Sequence, residues 1–253
     1  MRFFLILCFV IGFSAYADFP KTIKKVKPSI VGIGVYTPDG RPQNVLNGTG
    51  FIIGNGQYIV TNQHVVPKLQ NIEGTQKRVV FTGTGKQAKI YEVELIAVSN
   101  VHDLAILKHN GPPLPALKLA GDSLIDEGTS IAFTGFPIGA VLGLYPATHQ
   151  GYIASISPVV IPSSTSAQLT PAAIKLLKNP YMVYQLDGTA YPGNSGSPVY
   201  PIKTGKVVAI INKVFIKRTK ESAITDPSGI TYAIPVKFLH QLIKTNNIDI
   251  YAQ

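Results

Sequence analysis

The chain has no tryptophan and a single cysteine among 253 residues, and only 14% of its residues are charged. The cysteine, Cys8, lies inside an apolar run near the start. Removal of that run leaves a chain that cannot form a disulfide in any compartment, so stability has to come from its core. Few charges beside abundant valine, isoleucine and tyrosine exclude a disordered or highly solvated chain. No zinc-finger, basic-zipper or aromatic RNA-binding pattern occurs, which leaves nucleic acid without a reader. Long apolar runs are missing too. The longest, Phe3 to Phe13, falls short of the roughly 20 residues needed to cross a bilayer.

That run follows Arg2 and ends at Ala15-Tyr16-Ala17. A basic start, a short apolar stretch and small residues before a cut describe a secretory signal, here removed after Ala17. The chain is therefore expected to be exported, to the periplasm or beyond, with no stable membrane insertion afterwards. Loss of Arg2 takes the formal charge from +10 to +9. The lysines and arginines are scattered, and a surface of that kind chiefly maintains solubility.

Residues 18–253 are long enough to bury a sizeable core. Strand-length apolar runs recur, each closed by turn residues: SIVGIGVY, GTGFIIG, QYIVTN, RVVFTG, YEVELIAVS, LAILKH, SIAFTGFP, GYIASIS, MVYQLD, SPVYPI, VVAIINKVFI and TYAIPV. Helix is sparing. Phe19 to Lys27 carries Pro20 near its start and Pro28 at its stop, TPAAIKLLKN opens with a capping threonine and a proline, and VKFLHQLIK is amphipathic. No repeat is visible by eye. The pattern predicts an all-β fold of two packed antiparallel barrels with a short N-terminal and a C-terminal helix. The expected division is a signal at 1–17, one barrel half at 18–120 and a second at 121–253.

PGNSGSPVY, Pro192 to Tyr200, crowds glycines and prolines around Ser195. Small neighbours let a hydroxyl stand clear and let main-chain N–H groups converge on one point, as stabilising an oxyanion requires. Ordinary turns use the same residues. Two further segments weigh on the choice: His64 follows a strand-like run in YIVTNQHVV, and Asp103 precedes one in HDLAILK. Histidine, aspartate and serine in this order, each beside a strand end, can assemble a nucleophile, its base and the carboxylate that orients the base.

The segments GTGFIIGNGQYIVTNQHVV, HDLAILK, GFPIG, PGNSGSPV and GITYAIPV together resemble the protease domain of trypsin-like serine proteases, most closely its HtrA branch. The resemblance covers nearly all of the chain after the signal. It implies two six-stranded barrels with a cleft between them. The catalytic triad would be His64, Asp103 and Ser195, with the N–H groups of Gly193 and Ser195 forming the oxyanion hole. This chemistry needs no metal or other cofactor, and its substrates are polypeptides. His102 is discounted as a spare base, because on an extended backbone its side chain should point away from that of Asp103.

The likeness also has departures. Asn194 stands where the digestive enzymes carry an aspartate that pairs with a freshly cut N-terminus, so activation by such a cut is not expected. The sequence ends soon after the last helix, where the HtrA branch continues into a PDZ domain. N-terminal aromatics build trimers in that branch, which makes Phe19 a candidate homo-oligomer contact; packing on its own barrel is the alternative. Residues 157–180 fall where the branch has a sensor loop. By the same matching, Thr189, Ala190, Tyr191, Asn212, Val214 and Ile230 surround the primary substrate pocket. That largely apolar set predicts cleavage after small or medium aliphatic residues. A catalytically silent binder or chaperone, and a glutamyl endopeptidase, are the competing readings; the histidine of the latter is replaced by Ile211. Asn47-Gly48-Thr49 also spells a glycosylation acceptor, a pattern frequent by chance.

Overall fold

The computed structural model describes residues 19–69, 75–138, 144–159, 180–214 and 230–252. The signal segment and the helix expected at TPAAIKLLKN lie outside them. Helix α1 (Phe19–Val26) runs into a 3-10 turn at Lys27–Ser29 that contains Pro28. Six strands follow: β1 (Ile30–Tyr36), β2 (Asn44–Ile53), β3 (Tyr58–Thr61), β4 (Lys77–Thr82), β5 (Lys89–Ser99) and β6 (Leu104–His109). They close into an antiparallel barrel in the order β1-β2-β3-β6-β5-β4. The second set is β7 (Ser130–Gly135), β8 (Ala147–Pro158), β9 (Met182–Asp187), β10 (Pro198–Pro201), β11 (Ala209–Val214) and β12 (Ile230–Pro235), and helix α2 (Lys237–Thr245) ends the described elements. These strands close as β10-β11-β12-β9-β8-β7, which is the strand order of the first barrel repeated. The fold thus contains a duplication that the residues do not display.

Successive side chains of a strand point to opposite faces, and in the second half of β2 both faces are buried. In β2, Ile52 enters the interior of the first barrel with Val31, Ile33, Ile59, Val80 and Leu107. Its neighbours Phe51 and Ile53 face outward, into a core shared with Ala132, Phe136, Tyr200 and Ile210 of the second half and with Phe238, Leu239 and Leu242 of α2. The interior of the second barrel holds Phe133, Tyr184, Leu186, Ala190, Val199 and Ile211. Three apolar layers result, one in each barrel and one between them. At about 25 cal/mol per Å² of apolar surface removed from water, this double burial supplies what disulfides do not.

Helix α1 lies on the second barrel, where Thr22 Oγ1 donates to Ile202 O at 2.9 Å. Phe19 packs against the shared core, the alternative to an oligomer contact. Among the described residues, no helix is long and apolar enough to cross a membrane.

Candidate active site

Strands β3 and β6 are neighbours, with Thr61 opposite Ala105. That register brings the end of β3 beside the start of β6. His64 sits in the 3-10 turn Gln63–Val65 just past β3, and Asp103 occupies the turn that leads into β6. Asp103 has φ of 50°, a left-handed conformation that Asp tolerates better than most residues. Four hydrogen bonds hold it there. Its main-chain oxygen accepts from Gln63 N–H at 3.2 Å and from Asn62 Nδ2 at 3.0 Å. Its carboxylate accepts from His64 N–H at 2.9 Å through Oδ1 and from His64 Nδ1 at 2.6 Å through Oδ2. An ionised carboxylate only accepts, so Nδ1 carries the proton and Nε2 of the neutral ring is left as a base. The ring is accessible, with His64 41% and Asp103 18% exposed at the side chain.

On the second barrel, the loop before β10 carries Ser195. Its carbonyls are held in sequence. Pro192 O accepts from Ile138 N–H at 2.7 Å. Gly193 O accepts from Thr49 Oγ1 at 2.7 Å. Asn194 O accepts from Ser197 N–H, and Ser195 O from Thr49 N–H, both at 2.9 Å. In a planar trans peptide N–H and C=O point in opposite directions. Fixing the carbonyls of Pro192 and Asn194 therefore aims the N–H groups of Gly193 and Ser195 the other way, and among the described residues neither N–H has an acceptor.

The loop can turn this tightly only with glycine. Gly193 has φ of 99°, and a Cβ there would stand 2.3 Å from Phe136 O; Gly196 has φ of 88°, and a Cβ would stand 2.0 Å from Thr49 O. Ile138, which supplies the N–H for Pro192, has φ of 48°. A β-branched residue in that region is strained, of the kind that concentrates at functional sites.

Ser195 Oγ donates to Asn212 O at 2.9 Å; among the described residues it has no bond to His64. The two sides nonetheless meet. A Cβ on Gly48 would lie 2.8 Å from Val65, the residue after His64, and 3.1 Å from Ser195 O. Gly48 thus lies between the turn of the histidine–carboxylate pair and the loop of Ser195, whose two N–H groups have no acceptor among the described residues.

The trypsin-like peptidase domain matches residues 48–210, a span that holds His64, Asp103 and Ser195. The chain belongs to this family. A probable periplasmic serine endoprotease, DegP-like, from Halomonas elongata is 29% identical over 190 residues, covering 75% of this chain and 32% of that protein. The mitochondrial serine protease HTRA2 of Bos taurus is 26% identical over 242 residues, covering 92% and 45%. The chain spans about a third of the length of the DegP-like relatives it matches. Among solved structures, the HtrA-type protease AlgWS227A with tripeptide superposes with a TM-score of 0.64 at 20% identity, covering 90% of this chain and 63% of that one. The serine endoprotease from Yersinia pestis gives 0.62 at 22%, covering 90% and 66%. These two likenesses show the same fold as the two closed six-stranded barrels described above.

Within that fold, the expected pocket residues differ in what they touch. Thr189 and Tyr191 are half-buried, and Tyr191 O accepts from Asn194 N–H at 3.0 Å. Ala190 is fully enclosed by the second barrel's core, its N–H donating to Thr231 Oγ1 at 3.1 Å. Asn212 is half-buried and meets Ser195 through its carbonyl. Val214 and Ile230 are described by main chain alone, pairing with Thr231 and Asp187. Ile211 is fully buried in the same core.

His102 differs from expectation in its reason, since the backbone at 101–103 is a turn and not extended. Its ring stacks on Phe238 at 4.1 Å and meets Tyr181 edge-on at 4.8 Å, while its Nδ1 pairs with Ser99 Oγ at 3.1 Å. Burial, and then the charge of Lys237, lower its pKa. Tyr181 is pushed up to about 12, by burial first and then by the charge of Asp103. Two residues that build the site, Asn62 and Thr49, escaped the sequence reading. Asn62 sits two positions before His64, and Thr49 between two glycines, and their partners lie 41 and 144 residues away.

Proposed function

We propose that the chain is an exported serine endopeptidase that hydrolyses peptide bonds through Ser195, His64 and Asp103. The observation that carries this reading is the bonding of Asp103 to both the ring and the main chain of His64, opposite a serine flanked by two N–H groups without acceptors. Rotation about χ1 moves the Ser195 hydroxyl from Asn212 O towards His64 Nε2. His64 then takes the proton as Oγ attacks the peptide carbonyl, and Asp103 stabilises the imidazolium. The N–H groups of Gly193 and Ser195 receive the oxyanion. His64 returns the proton to the leaving amine, and a water deprotonated by the same ring releases the acyl group. The family match and the names of the relatives support the reaction class, and the word periplasmic in the name of the Halomonas protein supports export.

The test is a fluorophosphonate probe applied to residues 18–253 between about pH 7 and 9, above the ordinary imidazole pKa of about 6.5. Ser195 becomes labelled. Ser195→Ala abolishes the label, and His64→Ala removes most of it. One observation favours a silent binder, the Ser195 hydroxyl bonded to Asn212 O. Folded protein that takes no label favours that alternative or a latent enzyme that needs a trigger.

Cleavage falls after valine, alanine or isoleucine. The proposed pocket brings Thr189, Ala190, Tyr191, Asn212, Val214 and Ile230 together and includes no carboxylate. A substrate lysine or arginine there buries an unpaired charge at several kcal/mol by order of magnitude. Preference among aliphatics is shallow, since a methylene is worth about 1–3 kcal/mol in such a site. Mass spectrometry of a digested peptide library reads the preference directly; dominant cuts after Arg, Lys or Glu refute it.

A further inference from the structure

We infer that Thr49 is the positioning residue that keeps the Ser195 loop ready for the oxyanion, an inference that rests on the peptidase reading of Ser195. Thr49 is fully buried on β2 of the first barrel, yet it makes three hydrogen bonds to the second barrel, two through its hydroxyl and one through its N–H. Its hydroxyl proton goes to Gly193 O at 2.7 Å, and a lone pair of the same oxygen receives Phe136 N–H at 3.0 Å. Its own N–H goes to Ser195 O at 2.9 Å.

These partners are the two strips of backbone that shape the hole. Gly193 O is held directly. Phe136 leads to Ile138, whose strained backbone presents the N–H that holds Pro192 O. Release of Phe136 and Gly193 together frees the peptides on either side of Gly193 to rotate, and a rotated Pro192–Gly193 peptide offers the oxyanion a carbonyl in place of an N–H.

The remaining polar group of Thr49, its carbonyl, is held by the strand that leads to His64. Thr49 O accepts from Thr61 Oγ1 at 2.6 Å, and Thr61 is the last residue of β3 before the turn that carries His64. One residue thus ties the end of β3 to the loop of the nucleophile, through its carbonyl on the one side and its hydroxyl and N–H on the other. Threonine suits the task better than serine, because branching at Cβ restricts χ1 and fixes where the hydroxyl points.

The experiment compares wild type, Thr49→Val, Thr49→Ala and Thr49→Ser by rate of fluorophosphonate labelling and by kcat and KM on fluorescent casein, with thermal unfolding in parallel. Thr49→Val keeps the shape and loses the hydroxyl. Its labelling rate and kcat fall by about 10²-fold or more, the size of losing an oxyanion donor, while KM stays near the wild-type value. Thr49→Ser restores activity to within about threefold, because the hydroxyl returns with looser χ1. A folded Thr49→Val that labels at the wild-type rate overturns the inference, as does a loss expressed in KM with kcat unchanged. If Thr49→Val does not fold, the contrast of Thr49→Ala with Thr49→Ser decides: Ala slower by about tenfold or more supports it, and equal rates overturn it. Wild-type protein that is folded but takes no label and leaves casein intact defeats the peptidase reading itself, and the role of Thr49 falls with it.

Discussion

Asp103→Asn is expected to lower turnover by about 10⁴-fold with little change in fold, the loss typical when an orienting carboxylate is amidated. The geometry supplies the reason. Oδ1 of Asp103 accepts the His64 main-chain N–H and Oδ2 accepts the ring Nδ1. An asparagine has one oxygen and one NH₂ for those two tasks. The main-chain N–H can only donate, so it takes the oxygen, and the NH₂ then faces Nδ1. A donor facing Nδ1 requires that nitrogen to be bare, which moves the ring proton to Nε2, the atom that has to accept from Ser195. The substitution therefore leaves the imidazole in place and in the wrong tautomer. Casein hydrolysis by the purified variant, with an unfolding curve beside it, measures both halves of the expectation. A fall of less than about tenfold would place Asp103 outside the chemistry.

Asn194→Asp is expected to cost several kcal/mol of stability near neutral pH, by the order of magnitude of an unpaired buried carboxylate. Asn194 is fully buried, and among the described residues neither atom of its side-chain amide has a hydrogen-bond partner. An aspartate arriving there finds no bond already made for it. Burial raises its folded-state pKa above the unfolded value of about 3.9. Below that value both states are protonated and the penalty is absent. As pH rises the unfolded chain ionises first, so the native state holds more protons and stability falls; the loss levels off above the raised pKa. Denaturant midpoints at about pH 4 and pH 8 should therefore differ far more for Asn194→Asp than for wild type. Equal pH dependence in the two proteins would show that a carboxylate at this position is not left buried and unpaired.

How much of this was legible beforehand differs between fold and site. All twelve strand segments were marked by β-branched runs and turn residues. Which side of each strand faced which core was not, because Phe51, Ile52 and Ile53 are all apolar. Burial on both faces erases the alternation that would have revealed it. The repetition of strand order from one barrel to the other was equally silent, since side-chain identities can diverge while hydrogen-bond topology persists. His64, Asp103 and Ser195 could be proposed from the sequence because the proposed chemistry restricts residue type and short motifs surround them; the structure pairs the first two. Thr49 and Asn62 could not be, because they act on main-chain atoms of residues distant in sequence, and a carbonyl leaves no trace in the letter code. The setting of His102 was misjudged for a similar reason: nothing in HDLAILK announces that Asp103 adopts a positive φ.

Closure of both barrels bears on solubility in a chain rich in valine and isoleucine. Each of the twelve strands has a hydrogen-bonded neighbour on either side, so neither sheet ends in a row of unpaired N–H and C=O groups. Such rows are what a second molecule uses to extend a sheet into an aggregate. Proteins with open sheets blunt their edges with lysines, prolines or bulges. Here the circular pairing removes the edge, and the folded sheets give a stray strand from another copy no place to join.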